Sequence, residues 1–190
     1  KANNLEPEKR QYFIDKAFLQ AKRLSDLVGD ISTLSKIEEA QSQFELEDLN
    51  INELIDEVNE NLKFKLDENK INVHTLFAKD VVLNGNKSLI FSIFYNLFDN
   101  AIKYGGQDIH INITNYLEDE DFYYFSFSNT GNTIEDVHFP RLFERFYRID
   151  SGRTRKSGGT GLGLASVKNA VQLHGGEITA KNFKGGGVGF

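Results

Sequence analysis

The chain has 190 residues, 26% charged and 39% hydrophobic, with a net charge of −6. That length carries one good core plus an appendage. The negative balance argues against generic binding to nucleic acid or an anionic membrane. With no cysteine there is neither a disulfide framework nor a thiolate metal site, and no apolar run approaches the ~20 residues of a membrane span. The chain opens on Lys1, holds no Met and stops at Phe190 inside an expected final strand, so it reads as a piece of a longer protein.

Pro7 suits a helix N-terminus. From there Ile14, Ala17, Ala21, Leu24, Val28 and Ile31 alternate by three and four, and Phe18, Leu27, Leu34 and Ile37 widen the stripe. One long amphipathic helix of roughly eight turns follows. It cannot bury its stripe against itself, which predicts a bundle or coiled-coil partner, a second chain. Residues 38–43 are polar and read as a linker.

A compact segment follows. Phe44–Leu49 reads as a short strand, and 51–66 as a helix with Leu54, Ile55, Val58 and Leu62 on one face. Ile71, Val73, Thr75 and Phe77 alternate as a strand, and 81–83 is another short one. Residues 88–104 form an apolar helix. Two strands, 109–116 and 122–128, join through the acidic turn 118–121. A short helix is expected at 139–147, a loop at 151–159, a helix at 162–173, and strands at 177–182 and 187–190. This mixed order predicts an α+β fold: a two-layer sandwich with a helix layer on one face of a mixed five-stranded sheet.

The chemistry concentrates in four segments. The first is Gly159–Thr160–Gly161–Leu162–Gly163–Leu164, directly before the helical spacing of Leu164, Val167 and Val171. Glycines there let backbone N–H groups approach a ligand, and the helix N-terminus adds partial positive charge. The combination suits phosphate. A Walker-type loop is excluded because Gly163 is followed by Leu164 rather than Lys. A dinucleotide fingerprint fails because the glycines lead to Ser166 and no strand directly precedes them.

The second segment is the helix 88–104. Asn96, Asn100 and Lys103 fall at i, i+4 and i+7, on one face beside the apolar Leu97, Ala101 and Tyr104. Asn offers a neutral oxygen suited to Mg²⁺, and Lys103 a point charge for phosphate. A solvated polar face is the bland alternative. The third segment, Asn129–Thr130–Gly131–Asn132–Thr133, ends a strand. Asn129 would accept a hydrogen bond from an exocyclic amine, or the segment is an ordinary turn. The fourth runs from Arg141 to Arg148 and on to Arg153, Arg155 and Lys156. It holds six cations against Glu144 and Asp150, a local reversal of sign where a polyphosphate would need neutralising.

In this order the four segments resemble the ATP-binding catalytic domain of sensor histidine kinases, of the superfamily shared with gyrase B, MutL and the 90-kDa heat-shock chaperones. Asn96–Tyr104 resembles the N box, Asn129–Thr133 the first glycine box, Phe143–Arg148 the F box and Gly159–Leu164 the second glycine box. The resemblance covers residues 44–190, and 7–37 are similar to the second helix of a dimerisation and phosphotransfer hairpin. It implies a Bergerat-type fold over 41–190 preceded by a partial hairpin helix at 1–40. The implied cofactors are ATP and Mg²⁺.

The resemblance also implies residue roles. Asn100 would ligate the metal with Asn96 in support, Lys103 would touch phosphate, and Tyr104 would line the pocket. Asn129 would read the adenine amine, with Gly131 and Thr133 in the same box. Arg145 and Arg148 would face the β/γ-phosphates, and Gly159, Thr160, Gly161, Leu162, Gly163 and Leu164 would cradle the triphosphate. The implied partners are a response-regulator receiver domain and a second copy through the N-terminal helix. The implied location is cytoplasmic, in a family whose members are often membrane-anchored.

Two departures stand out. Asn129 and Thr133 replace the Asp and the second Gly usual in the first glycine box. His74, His110, His138 and His174 all fall in the catalytic portion, so no phospho-accepting histidine is expected in this chain. Rival readings are a degenerate nucleotide-gated binding or phosphatase module and a clamp-type ATPase.

Overall fold

The computed structural model describes residues 6–39, 45–149, 159–183 and 185–190, with part of the side chains in the first helix left aside. That helix, α1, spans Pro7–Glu39 and enters the expected linker, whose later residues lie outside the described ones. The described members of its stripe, from Ile14 and Ala17 to Leu24 and Val28, are all exposed, as are Tyr12, Phe13 and Phe18. Ile31, Leu34 and Ile37 are among the side chains left aside.

A short strand β1 (Glu47–Asn50) leads directly into α2 (Ile51–Glu68). Asn50 starts that helix: its side chain accepts from the N–H groups of Asn52 at 3.0 Å and Glu53 at 3.4 Å. The stripe expected on α2 is buried, with Leu54, Ile55, Val58 and Leu62 at most 3% exposed. Then come β2 (Asn72–Leu76), β3 (Val82–Gly85) and α3 (Lys87–Tyr104). Asn86 caps α3 through a bond from Leu89 N–H at 3.1 Å. The hairpin β4 (His110–Glu118) and β5 (Tyr123–Asn129) follows. Beyond it lie α4 (Gly163–Leu173) and the two-residue strands β6 (Lys181–Asn182) and β7 (Val188–Gly189).

The main sheet has five strands in the order β2-β4-β5-β7-β6, parallel between β2 and β4 and antiparallel elsewhere. β1 and β3 form a separate antiparallel pair. Inward positions alternate as strand geometry requires: Ile111, Ile113 and Phe127 are at most 3% exposed. They meet Leu97, Phe98 and Ala101 of α3 and Val167 of α4, and Phe98 and Phe127 pack edge to face with ring centres 5.3 Å apart. The expected two-layer α+β sandwich is therefore present.

Two expected elements differ. The helix predicted at 139–147 is instead a single 3₁₀ segment, Asp136–Arg141, followed by turns. Pro140 lacks the N–H an α ladder needs, and Phe146 takes φ 65°, which no right-handed helix accommodates. The strand predicted at 177–182 is paired only at Lys181–Asn182, because the ladder of its partner β7 has just two residues.

Candidate nucleotide-binding site

The site is built around the glycine loop at 159–163, and each of its three glycines abuts a different neighbour. A side chain on Gly159 would collide with the Tyr104 hydroxyl at the end of α3. One on Gly161 would lie 2.7 Å from the Phe146 carbonyl carbon, and one on Gly163 2.8 Å from Asn96 Oδ1. The backbone itself ties the loop to the basic segment: Phe146 N–H donates to Gly161 O at 2.8 Å. Gly161 (φ 77°) and Phe146 (φ 65°) are both left-handed, so the two backbones pass face to face.

The loop then enters α4, whose first turn has no side-chain cap, unlike α2 and α3 with their asparagines. Leu162 stands where a capping side chain would be and is completely buried. Its N–H donates to Thr160 Oγ1 at 3.2 Å. Leu164 packs against the core. Leu162 and Leu164 therefore anchor the loop by their side chains and would meet a ligand only through backbone. Uncapped N–H groups at a helix start, beside closely approachable glycines, form an anion cradle.

On α3, Asn96 Nδ2 donates to Ser92 O at 2.8 Å and Asn100 Nδ2 to Asn96 O at 2.8 Å. Main-chain carbonyls only accept, so both amides must turn their nitrogens to the helix. That leaves each Oδ1 available as an oxygen donor, the chemistry a hard cation takes. Lys103 forms an ion pair with Asp99, which also receives Lys65 of α2 at 3.6 Å. Its ammonium thus already has a carboxylate to leave before it serves a phosphate.

The turn after β5 docks onto the end of α3. Asn132 N–H donates to Gly105 O at 3.1 Å, and its side chain donates to Tyr104 O at 2.8 Å. Gly131 (φ 106°) sits so close that any side chain would strike Gly105 O. Asn129 is 7% exposed, and its Nδ2 donates to Thr130 O at 2.7 Å. That bond fixes the amide and leaves Oδ1 as an acceptor for an amine. Thr133 is exposed. Arg145 and Arg148 line an open cleft of ≈ 440 Å³ with Arg141, Glu144, Phe146 and Tyr147. Arg153, Arg155 and Lys156 lie outside the described residues.

The structure thus brings Asn96, Tyr104, Gly159, Gly161 and Gly163 together, and through Phe146 it adds the segment that carries Arg145 and Arg148. The sequence reading gave no role to Asn132 and missed Gly105 and Asn182, whose amide clasps Ile134 by two bonds of 2.6 and 3.0 Å. Their only signal was an Asn or Gly at a segment boundary.

Residues 85–190 match the family model of the histidine kinase-, DNA gyrase B- and HSP90-like ATPases, more than half of the chain. The chain belongs to that family. It is 32% identical over 170 residues to the sensor histidine kinase WalK of Bacillus subtilis, covering 89% of this chain and 28% of that protein. It is also 32% identical over 171 residues to the phosphate regulon sensor protein PhoR of Pseudomonas aeruginosa, covering 90% of this chain and 38% of PhoR. The chain therefore spans under half the length of these curated relatives.

Among solved structures, the catalytic domain of histidine kinase ThkA aligns at TM-score 0.66 and 26% identity, over 76% of this chain and 92% of that one. ThkA in complex with the response regulator TrrA aligns at TM-score 0.73, over 100% of this chain and 52% of ThkA; at 22% identity that likeness speaks to the fold. The domain is an ATP-binding catalytic domain of the sensor histidine kinase type.

Proposed function

We propose that residues 41–190 are the catalytic domain and 1–40 part of the dimerisation and phosphotransfer hairpin of a protein-histidine kinase. It would pass the ATP γ-phosphoryl group to a histidine outside this chain and onward to an aspartate of a response regulator. The observation that carries this is the convergence of Gly159, Gly161 and Gly163 on Tyr104, Phe146 and Asn96. The complex of the related ThkA with its response regulator supports the onward partner. The exposed apolar stripe of α1 supports pairing with a second copy. No helix among the described residues is long and apolar enough to cross a membrane.

In this reading, Asn129 Oδ1 accepts from the adenine amine while Gly131 lets the base approach. Asn100 Oδ1 would hold Mg²⁺, its amide oriented by the bond that its Nδ2 donates to the Asn96 main-chain carbonyl. The N–H groups of 159–163 and the start of α4 hold the phosphates. Arg145, Arg148 and Lys103 offset the charge that spreads over the transferring group. Bound nucleotide would supply the phosphoryl donor and the metal a divalent charge.

The test is calorimetric titration with a non-hydrolysable ATP analogue plus Mg²⁺. Wild type should bind in the micromolar range, with Asn100→Ala and Gly161→Ala both weaker. With a hairpin that carries the acceptor histidine supplied, labelled γ-phosphate should reach it in acid-labile form. Binding with no transfer would favour the nucleotide-gated module, a reading supported by Asn129 and Thr133. ATP turnover to water without phosphoprotein would favour a clamp-type ATPase.

A further inference from the structure

On the solvent face of the main sheet two histidines meet. β2 and β4 run parallel with Asn72 opposite His110 and His74 opposite Asn112. His74 and His110 are therefore diagonal neighbours on one face of the sheet, and both are exposed. Their rings lie within 21° of parallel, with centres 5.5 Å apart. Nε2 of His74 is 3.3 Å from Nδ1 of His110.

We infer that His74 and His110 form a surface binding site for a borderline transition-metal ion of the Zn²⁺, Cu²⁺ or Ni²⁺ class. The geometry carries this. Two imidazole nitrogens each about 2.0–2.1 Å from a tetrahedral ion stand about 3.3–3.4 Å apart, which matches the separation found here. Imidazole suits these ions, whereas Mg²⁺ and Ca²⁺ take oxygen, so the site is chemically distinct from the Asn100 position.

The frame is also fixed. His110 N–H donates to Thr130 Oγ1 at 2.9 Å, its carbonyl accepts from Thr130 N–H at 2.9 Å, and Asn72 N–H holds Ile109 O at 3.0 Å. The metal-free state has one ring donating N–H to the other across 3.3 Å, a long and therefore weak bond. For both facing nitrogens to present lone pairs, the donor ring moves its proton to its other nitrogen. That change is a tautomer shift within one ring. No group of three or more His, Cys, Asp or Glu converges among the described residues, so water fills the remaining positions.

The test is titration of the nucleotide-free protein with Zn²⁺ in a non-chelating buffer, followed by calorimetry and by the histidine ring resonances. One ion should bind per chain in the micromolar range, shifting His74 and His110 together and leaving His138 and His174 in place. His74→Ala and His110→Ala should each weaken binding roughly tenfold or more, since loss even of an outer-shell partner costs that much. Mg²⁺ in excess should not displace Zn²⁺. Both residues are exposed, so thermal midpoints should hold; if His110→Ala unfolds, His74→Ala alone decides. A His74→Ala/His110→Ala protein that binds Zn²⁺ as wild type does, or shifts confined to His138 or His174, would overturn the inference. The nucleotide reading stands or falls separately.

Discussion

Gly161→Ala is the sharpest perturbation of the nucleotide loop. Gly161 sits at φ 77°, and an L residue in that region costs about 1–2 kcal/mol. Its new Cβ would also lie 2.7, 2.9 and 3.0 Å from the carbonyl carbon, Cα and oxygen of Phe146. These are backbone atoms, so no side-chain rotation relieves the contact. The loop and the Phe146 turn must separate, and the 2.8 Å bond from Phe146 N–H to Gly161 O is lost, about 0.5–1.5 kcal/mol net.

The sum is about 1.5–3.5 kcal/mol, and at about 1.4 kcal/mol per decade it predicts a loss of roughly one to two and a half powers of ten in nucleotide affinity. Gly175→Ala is the control. Gly175 has φ 73° but nothing within 4 Å of the added Cβ. It carries the strain without the collision, and the stiffer unfolded chain offsets part of that. A midpoint fall of about 2–4 °C with unchanged nucleotide binding is expected. Calorimetry with an ATP analogue plus Mg²⁺, alongside thermal melts, reads both. Gly161→Ala binding within about twofold of wild type, with a melting shift like that of Gly175→Ala, would refute the claim that the Phe146 contact sets the loop.

Leu162→Ala removes a completely buried side chain beneath the loop, and denaturant unfolding should show a loss of about 2–5 kcal/mol. Asn129→Asp removes the donor to Thr130 O and sets a carboxylate against a carbonyl at a 7% exposed position. It should destabilise the fold by about 1–3 kcal/mol, read as a lower melting midpoint; an unchanged midpoint would mean that the amide bond carries no weight. In the β4–β5 turn, the hydrogen bond from Tyr124 OH, then those from Asp121 and Phe122 N–H, hold the Asp119 carboxyl below its usual 3.8. A depressed carboxylate stabilises the hairpin above that value, and the contribution disappears as pH falls through the folded one. The same bond pushes the Tyr124 phenol above 10.0. In Asp119→Asn, Tyr124 should titrate lower by ultraviolet absorbance; an unmoved Tyr124 would show the bond absent in solution.

Periodicity made the core legible, and composition marked the glycine loop. Leu54, Ile55, Val58 and Leu62 repeat at helical spacing, and Ile111 and Ile113 alternate; all are buried as that pattern requires. The glycine loop stood out because three glycines directly precede a helix and three other segments fit the same ligand. What sequence did not show was how the segments lock together. Asn132 and Gly105 meet through one backbone bond across 27 positions, and nothing in either neighbourhood marks the other. The helix expected at 139–147 also failed, since Pro140 interrupts the α ladder and nothing local marks the left-handed Phe146.

That misreading bears on function. A regular helix through Phe146 would bury its N–H in an i→i−4 bond and could not offer it to Gly161 O. The broken, left-handed turn leaves the donor free for the loop, so the local irregularity couples the arginine segment to the glycines. Backbone strain of this kind persists only when its surroundings over-determine it. Here they do: Gly161 has no side chain, Leu162 is sealed in the core, and Thr160 holds Leu162 N–H. The segment that defied its own local pattern is the one that ties Arg145 and Arg148 to the glycine loop.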